Sequence, residues 1–413
     1  MANARKDPKG RALRKGEIYQ KSRNMYVYTF TDPMGNRQYL YSRDLMELRE
    51  KETKLLKDQL DGLDIYSAGK SDINFVFDRY IMFRSDLRQT TRSNYIYTYD
   101  HYVRGGFGKR RVGDIKYSDV LYFYTHLMEE DDLSISTIES VHSVLSPTFA
   151  LAERDDLIRK NPCIGVLAQI KKTVGKSAGV RHALTLPQQR AFLDFLRQME
   201  KNHRWLPIFT VLLGTGCRVG EVIGLRWEDV DFESGIISIN HTLTYYPRRE
   251  DSAKCEHAVS VPKTESGVRT IPMLPEVRAA FMMEKDLQDA MGIRCESEID
   301  GMTGFIFCNR FGKVHTYSTL NRAIRRITDD YNSIEEVQAK KEHREAIILP
   351  HFSCHHLRHT FCTRICESET NIKVIQSVMG HKDVTTTLNI YADIHDAKKV
   401  EAFKELSQDL KIF

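Results

Sequence analysis

A chain of 413 residues is too long for one ordinary hydrophobic core, so two or three domains are expected, and a hydrophobic fraction of 41% suffices for globular folding. No apolar run approaches the roughly 18–20 residues needed to span a bilayer, and the basic start lacks the apolar stretch of a signal peptide, so a soluble, intracellular protein is expected. The formal charge of +5 decides little, and the eight cysteines are scattered without a C-x-x-C pair, as expected of reduced structural thiols.

Arg5, Lys6, Lys9, Arg11, Arg14, Lys15, Lys21 and Arg23 crowd the N-terminus against only Asp7 and Glu17, and residues 1–24 read as a flexible basic arm. Residues 25–30 are β-formers with Tyr26, Tyr28 and Phe30 on one face. Turn residues follow at 32–36, and 38–41 read as a partner strand. Leu45, Leu48, Leu55, Leu56, Leu60 and Leu63 then recur at helical spacing, with Gly62 near the stop. The expectation for 1–68 is a small sheet plus one helix. A basic sheet of that size can lie in a DNA major groove; a structural domain with its aromatics in the core is the alternative.

Residues 72–168 read as helical, with helices over 74–86, 90–103, 118–130 and 136–155. Thr91 and Arg92, and the knot Lys109-Arg110-Arg111, fall at or between helix ends where they could grip phosphates; a solvated basic face is the competing reading. Residues 169–182, with Lys171 and Lys172, read as a flexible basic linker. The Gly175-Lys176 stretch is not a phosphate-binding loop, because the spacing and the strand–loop–helix context are missing.

Residues 183–413 carry the chemistry. Gly214-Thr215-Gly216-Cys217-Arg218-Val219-Gly220-Glu221 predicts a tight turn running into a helix over 219–225, with Arg218 at a helix N-terminus suited to phosphate and Glu221 on its face. Strands are expected over 237–245 and 268–273, with Lys263 beside a turn at 264–267. A helix over 353–367 puts Leu357, Phe361 and Ile365 on a buried stripe, and His355 and Arg358 on another face. His351, Cys354, His355 and His359 include spacings that zinc could use, but a permanent cation stands among them and a second ligand set is missing, so no metal is expected. Asn371 caps the next helix, with Ile372, Ile375 and Val378 inward and Gly380 ending it. His381 follows, and Tyr391 lies in a short helix over 385–391. Val400, Phe403 and Leu406 predict a further amphipathic helix.

Two arginines, two histidines and a late tyrosine suit attack by tyrosine on a phosphodiester. Arginine is always charged and can hold two phosphate oxygens at once. The boxes Gly-x-Gly-x-Arg218-x-x-Glu221, Pro262-Lys263-Thr264-x-x-Gly267-x-Arg269, His355-x-x-Arg358, Gly380-His381 and Asn389-Ile390-Tyr391 resemble the tyrosine recombinase (phage integrase) family. The phrases Arg5-Lys6-Asp7-x-Lys9-Gly10-Arg11 and Pro262-Lys263-Thr264-x-Ser266-Gly267-Val268-Arg269 narrow the resemblance to integrases of Gram-positive conjugative transposons.

That resemblance implies a mainly α, multidomain fold: an N-terminal three-stranded sheet plus helix that binds arm-type DNA, a helical core-binding domain, and an α+β catalytic domain with a tail helix. It implies a cofactor-free recombinase that excises and integrates a mobile element through a 3′-phosphotyrosyl intermediate and a Holliday junction. Tyr391 would be the nucleophile, Arg218 and Arg358 the phosphate clamp, His355 and His381 acid–base support, and Lys263 the general acid. The implied partners are double-stranded DNA, further copies of the chain joined through the C-terminal tail, and an excisionase, in a bacterial cytoplasm near the nucleoid. A type IB topoisomerase-like enzyme and a DNA-binding regulator without catalysis remain as alternatives.

Overall fold

The structure is a computed structural model that describes residues 5–31, 37–60, 71–174, 183–248, 254–262, 267–368 and 371–380, with Thr385 and Leu388. The chain divides into two compact units, Met1–Ala178 and Gly179–Phe413. Among the described residues no helix is long and apolar enough to cross a membrane.

The first unit begins with a three-stranded antiparallel sheet in the order β1 (Glu17–Gln20), β2 (Met25–Thr31), β3 (Arg37–Ser42). Helix α1 (Leu45–Leu60) follows and packs Leu45 and Leu48 against Tyr26, flanked by Leu13, Tyr19, Tyr28 and Leu40. The pairing of Glu17 with Tyr28 and of Tyr28 with Leu40 puts the core residues on one face. Ile18, Tyr39 and Tyr41, of opposite parity, stand exposed on the other. Gly62 and Leu63, and the turn at 32–36, lie outside the described residues.

The basic arm is not a flexible tail from Arg5 onward. The Asp7 carboxylate accepts hydrogen bonds from the backbone N–H groups of Lys9 (3.0 Å) and Arg11 (2.7 Å), from Arg11 Nε (2.8 Å) and from the Tyr26 hydroxyl (2.9 Å). Glu17 is buried as well, taking two bonds from Arg49 and one from the Arg14 N–H. The two acidic residues that look outnumbered in the sequence are the ones that fold the arm.

The helical part runs through α2 (Ile73–Phe83), α3 (Gln89–Tyr99), α4 (Tyr117–Glu129), α5 (Ile135–Arg154) and α6 (Val166–Val174). Asp72 and Ser134 cap α2 and α5 through their side chains, which fixes where those helices start. The chain continues past α3 in a π-helical turn, Asp100–Arg104, held by Arg104 bonding both Asp78 (2.8 Å) and Asp100 (2.5 Å). Phe77 and Tyr99 stack at 3.6 Å in the core. The expected linker is helical over its first part: Val166 and Ile170, four apart, are both buried, so α6 is held by the same core and carries Lys171 and Lys172 in its last turn.

In the second unit, α7 (Leu186–Gln198) precedes the apolar α8 (Leu206–Thr215), which packs between α10 (Pro275–Met291) and α12 (Cys354–Ser368). After α9 (Val219–Gly224), strands β4 (Val230–Asp231), β5 (Ile236–Ile239) and β8 (Arg269–Pro272) form one antiparallel sheet in the order β4-β5-β8. Strands β6 (Thr242–Pro247) and β7 (Cys255–Ser260) form a separate pair. The single strand expected over 237–245 is therefore two strands in different sheets. The break falls at Asn240 and His241, whose side chains tie back to Asp229 (3.1 Å) and to the Gly224 carbonyl (2.7 Å). Helices α11 (Tyr317–Glu342) and α13 (Ile372–Met379) complete the described elements.

The bonds at Asp7 outweigh its burial, which by itself would raise the pKa, and hold the carboxyl at about 2, below its ordinary 3.8. A depressed carboxylate stabilises above the ordinary value and stops doing so as pH falls through about 2. The amide resonances of Lys9 and Arg11 should therefore titrate with a midpoint near 2, and the Asp7→Asn variant should lose that titration and expose residues 5–16 to trypsin. A midpoint near 4 would remove Asp7 as the organiser of the arm.

Candidate active site

Three arginines from three distant parts of the sequence meet at the C-terminal end of α13. Arg269 on β8 donates from Nε to the Val378 carbonyl (2.9 Å), Arg358 on α12 from Nη2 to the Met379 carbonyl (2.7 Å), and Arg218 from Nη2 to the Gly380 carbonyl (3.3 Å). A helix leaves its last carbonyls without intrahelical partners and carries partial negative charge there. Here three consecutive carbonyls are each taken by a different guanidinium.

Glu221 ties the cations to each other. Its carboxylate accepts from Arg218 Nη1 (2.9 Å) and the Arg218 N–H (2.8 Å), and from Arg269 Nη2 (2.8 Å) and Nη1 (3.2 Å). Burial would raise the Glu221 pKa, but Arg269 and Arg218 hold it below the ordinary value. The start of α9 is thus filled by the helix's own carboxylate, not left open for phosphate as the sequence suggested. The role of Glu221 in orienting Arg218 matches the expectation from their spacing.

Arg358 is buried, and its Nη1 also donates to the Gly216 carbonyl (2.7 Å). Burial, then the nearby charge of Arg218, pushes its pKa down to about 10, so it stays cationic near neutrality. His355 is exposed on the same helix, with its ring edge-on to His359 at 5.1 Å. The two residues expected to share an open face do not: Arg358 turns inward, because its donors bond carbonyls at the ends of α8 and α13. Arg218 is the partly open cation, its side chain 47% exposed. Arg218, Arg269 and Arg358 face the single carboxylate of Glu221, which leaves an excess of positive charge suited to an anion.

Both corners of this arrangement demand glycine. Gly216 ends α8 at φ +62°, and a Cβ there would lie 2.2 Å from the Phe361 ring; Gly380 ends α13 at φ +60°, with Arg269 Nη1 3.0 Å from where its Cβ would be. Cys217 between them is buried, 3.7 Å from Arg269 Nη2, and burial pushes its thiol up to about 11.

The structure therefore brings Arg218 and Arg358 together. Lys263, His381 and Tyr391 lie outside the described residues, as does the tail with Val400, Phe403 and Leu406. Arg269 is the residue the sequence reading left without a role. Its parity could have marked it: Arg269 and Ile271 point to the same side of β8, and Ile271 is buried. Among the described residues no group of three or more His, Cys, Asp or Glu side chains is placed to hold a metal, and Cys354 of the zinc-like pattern is buried.

The candidate DNA contacts divide by their partners. Arg5, Lys9, Lys109, Arg111 and Lys172 are exposed, and Thr91 stands half-buried in the first turn of α3. Arg11 is committed to Asp7 and Tyr26, Arg92 donates to the Ile81 carbonyl (2.5 Å), Arg110 pairs with Asp119 (2.7 Å), and Lys171 with Glu139 (2.6 Å).

Comparison with known proteins gives this geometry a context. Residues 183–398 match the Phage integrase family, and residues 1–59 match the DNA binding domain of tn916 integrase. The chain is 30% identical to the transposase from transposon Tn1545 of Streptococcus agalactiae, over 99% of this chain and 98% of that protein. It is 29% identical to the transposase from transposon Tn916 of Enterococcus faecalis, with the same coverage. A structure of the Tn1549 transposon integrase in complex with a circular intermediate DNA superposes with a TM-score of 0.67 at 28% identity, covering 80% of this chain and 99% of that one.

Replacing Arg269 by Met should cost about 3–5 kcal/mol, because it strands a buried carboxylate. The Glu221→Gln/Arg269→Met double variant should lose less than the two single variants combined. Chemical denaturation read by Trp205 and Trp227, both in the second unit, measures this; a loss under about 1 kcal/mol, typical of a surface pair, would contradict it.

Proposed function

The chain belongs to the phage integrase family of tyrosine recombinases, and from that premise we propose how its residues cut and rejoin DNA. It is a site-specific recombinase of the kind that excises and integrates mobile elements. The observation that carries the mechanism is the cluster of Arg218, Arg269 and Arg358 at the end of α13, with position 381 next in the chain.

The Tyr391 hydroxyl gives up its proton to the acid–base pair His355 and His381 as its oxygen attacks the scissile phosphorus and the bond from phosphorus to the 5′ oxygen breaks, leaving a 3′-phosphotyrosyl link and a free 5′ hydroxyl. Lys263 supplies the proton that the departing 5′ oxygen takes up. Arg218 and Arg358 hold the phosphorane, whose added negative charge falls where positive charge is already in excess. Arg269 does not touch the phosphate; it positions Glu221 and the end of α13. His355 and His381 hydrogen-bond the phosphate oxygens and assist proton transfer. Because the phosphotyrosyl bond conserves the energy of the phosphodiester, a 5′ hydroxyl from a second duplex reverses the step, and two rounds pass through a Holliday junction. Fixed guanidiniums do the charge stabilisation that metal ions perform in other phosphoryl transfers.

The first unit supplies targeting. The exposed sheet face with Ile18, Tyr39 and Tyr41 suits arm-type DNA, and Arg5 and Lys9 add exposed positive charge to the same small domain. Lys109 and Arg111 suit the backbone of the core site, with Thr91, Arg92, Arg110, Lys171 and Lys172 as supporting contacts. The chain works as a multimer on double-stranded DNA, with residues 397–413 docking on a neighbouring copy and an excisionase setting the direction. We assign residues 1–68 to arm binding, 72–168 to core binding and 183–413 to catalysis.

Nicked suicide duplexes carrying candidate element ends should yield a covalent protein–DNA band with a metal chelator present. Tyr391→Phe should abolish the band while DNA binding persists, and Arg218→Ala should slow its formation by about 10²–10³-fold. A band that survives Tyr391→Phe would refute the assignment of the nucleophile. Truncation after Asp396 should leave single-site cleavage intact and remove cooperative assembly of two sites; unchanged recombination would refute the role of the tail.

A further inference from the structure

A second basic site lies at the other end of α8. Trp205 immediately precedes α8, whereas Gly216, at its far end, meets Arg358. Ten residues of helix separate the two ends by about 15 Å. Beside Trp205 opens a cavity of 580 Å³ lined by Arg204, Trp205, Glu284, Arg310, His315 and Arg322, among others. That volume is within the range of small-molecule sites, roughly 300–1,000 Å³.

The lining is unbalanced in charge and in hydrogen bonding. None of Arg204, Arg310 and Arg322 has a carboxylate partner among the described residues; Arg204 lies over the Trp205 ring (4.9 Å) and Arg310 over Phe311 (4.7 Å). Burial first, then the charges of Arg326 and Arg310, lowers the Arg204 pKa. The one carboxyl on the wall, Glu284, accepts a bond from Gln288 and is pushed by burial up to about 7, which blunts its repulsion of an anion. Two ring nitrogens are buried without partners. Trp205, 5% exposed, has an unpaired Nε1–H, and His315 has an unpaired Nδ1. Both nitrogens are closed off inside the wall, so the donors that line the open cavity are the exposed guanidiniums of Arg204, Arg310 and Arg322.

We propose that this cavity binds a phosphate group, with the exposed guanidiniums of Arg204, Arg310 and Arg322 as its cationic clamp. Guanidinium matches phosphate oxygens in charge and in geometry. The phosphate can come from a free phosphorylated molecule or from the backbone of the bound duplex. The site is separate from the cluster around Arg218 and does not depend on the cleavage chemistry assigned to it.

The test uses the full chain, with pyrophosphate as the probe of a free anion and duplex DNA as the probe of the backbone. Pyrophosphate titration should change the fluorescence of Trp205, one of only two tryptophans, and Arg310→Gln/Arg322→Gln should weaken binding at least about tenfold, as loss of charge-assisted bonds requires. An unchanged melting profile shows that the variant folds. The second arm measures duplex affinity against salt: if the backbone supplies the phosphate, removing these contacts lowers the log–log slope by about 0.9 per contact. A pyrophosphate response lost in the variant with an unaltered salt slope assigns the site to a free ligand. A reduced slope assigns it to DNA, and either result supports the proposal. No response of wild type to pyrophosphate, together with identical salt slopes for both proteins, overturns it.

Discussion

The arginine cluster of the second unit depends on how the end of one short helix is satisfied. The last carbonyls of α13 cannot bond within the helix, and buried carbonyls must find donors. They find guanidinium groups from β8, α12 and the start of α9. Elements separated by more than a hundred residues are thereby fixed relative to each other by hydrogen bonds with charged donors, which are stronger and more directional than apolar contact alone. Glu221 completes the set, so that one carboxylate and four carbonyls, that of Gly216 included, hold three like charges at close range.

The arrangement also limits the repulsion among its own cations. Cations gathered at close range repel one another, and burying them raises the cost. Helix carbonyls offer a partial negative charge that offsets repulsion without adding a second carboxylate, which would compete with phosphate. The left-handed glycines at 216 and 380 let two helices end so close to the arginines, since a side chain at either corner would collide with Phe361 or Arg269.

Much of this was legible in the sequence, and the parts that were not share a cause. The helices of the first unit, those beginning at Val219 and Cys354, and the cap at Asn371 announce themselves through local spacing, and the structure places these helices within a few residues of the expected bounds. Misreadings arose where a long-range partner overrides local pattern. The arm looked unstructured because its organiser, Asp7, works through Tyr26, nineteen positions away. The stretch 237–245 looked like one strand because its β-formers are continuous, while the break comes from Asp229 and Gly224. The start of the linker looked loose because its lysines dominate the eye, although Val166 and Ile170 anchor it. Arg269 read as one more basic residue on a hairpin, since nothing nearby in sequence points to Glu221.

Cys217 sits in the middle of this network, shut from solvent, against Arg269, and with its proton held more tightly than in a free thiol. Only the thiolate reacts with alkylating reagents, so this sulfur is inert as long as the arginines stay in place. Its rate of modification therefore works as a clock for the native protein: each chemical hit records one excursion in which β8 and α13 part company. Cys255 and Cys295, more accessible, would be consumed first and give the baseline against which that clock is read.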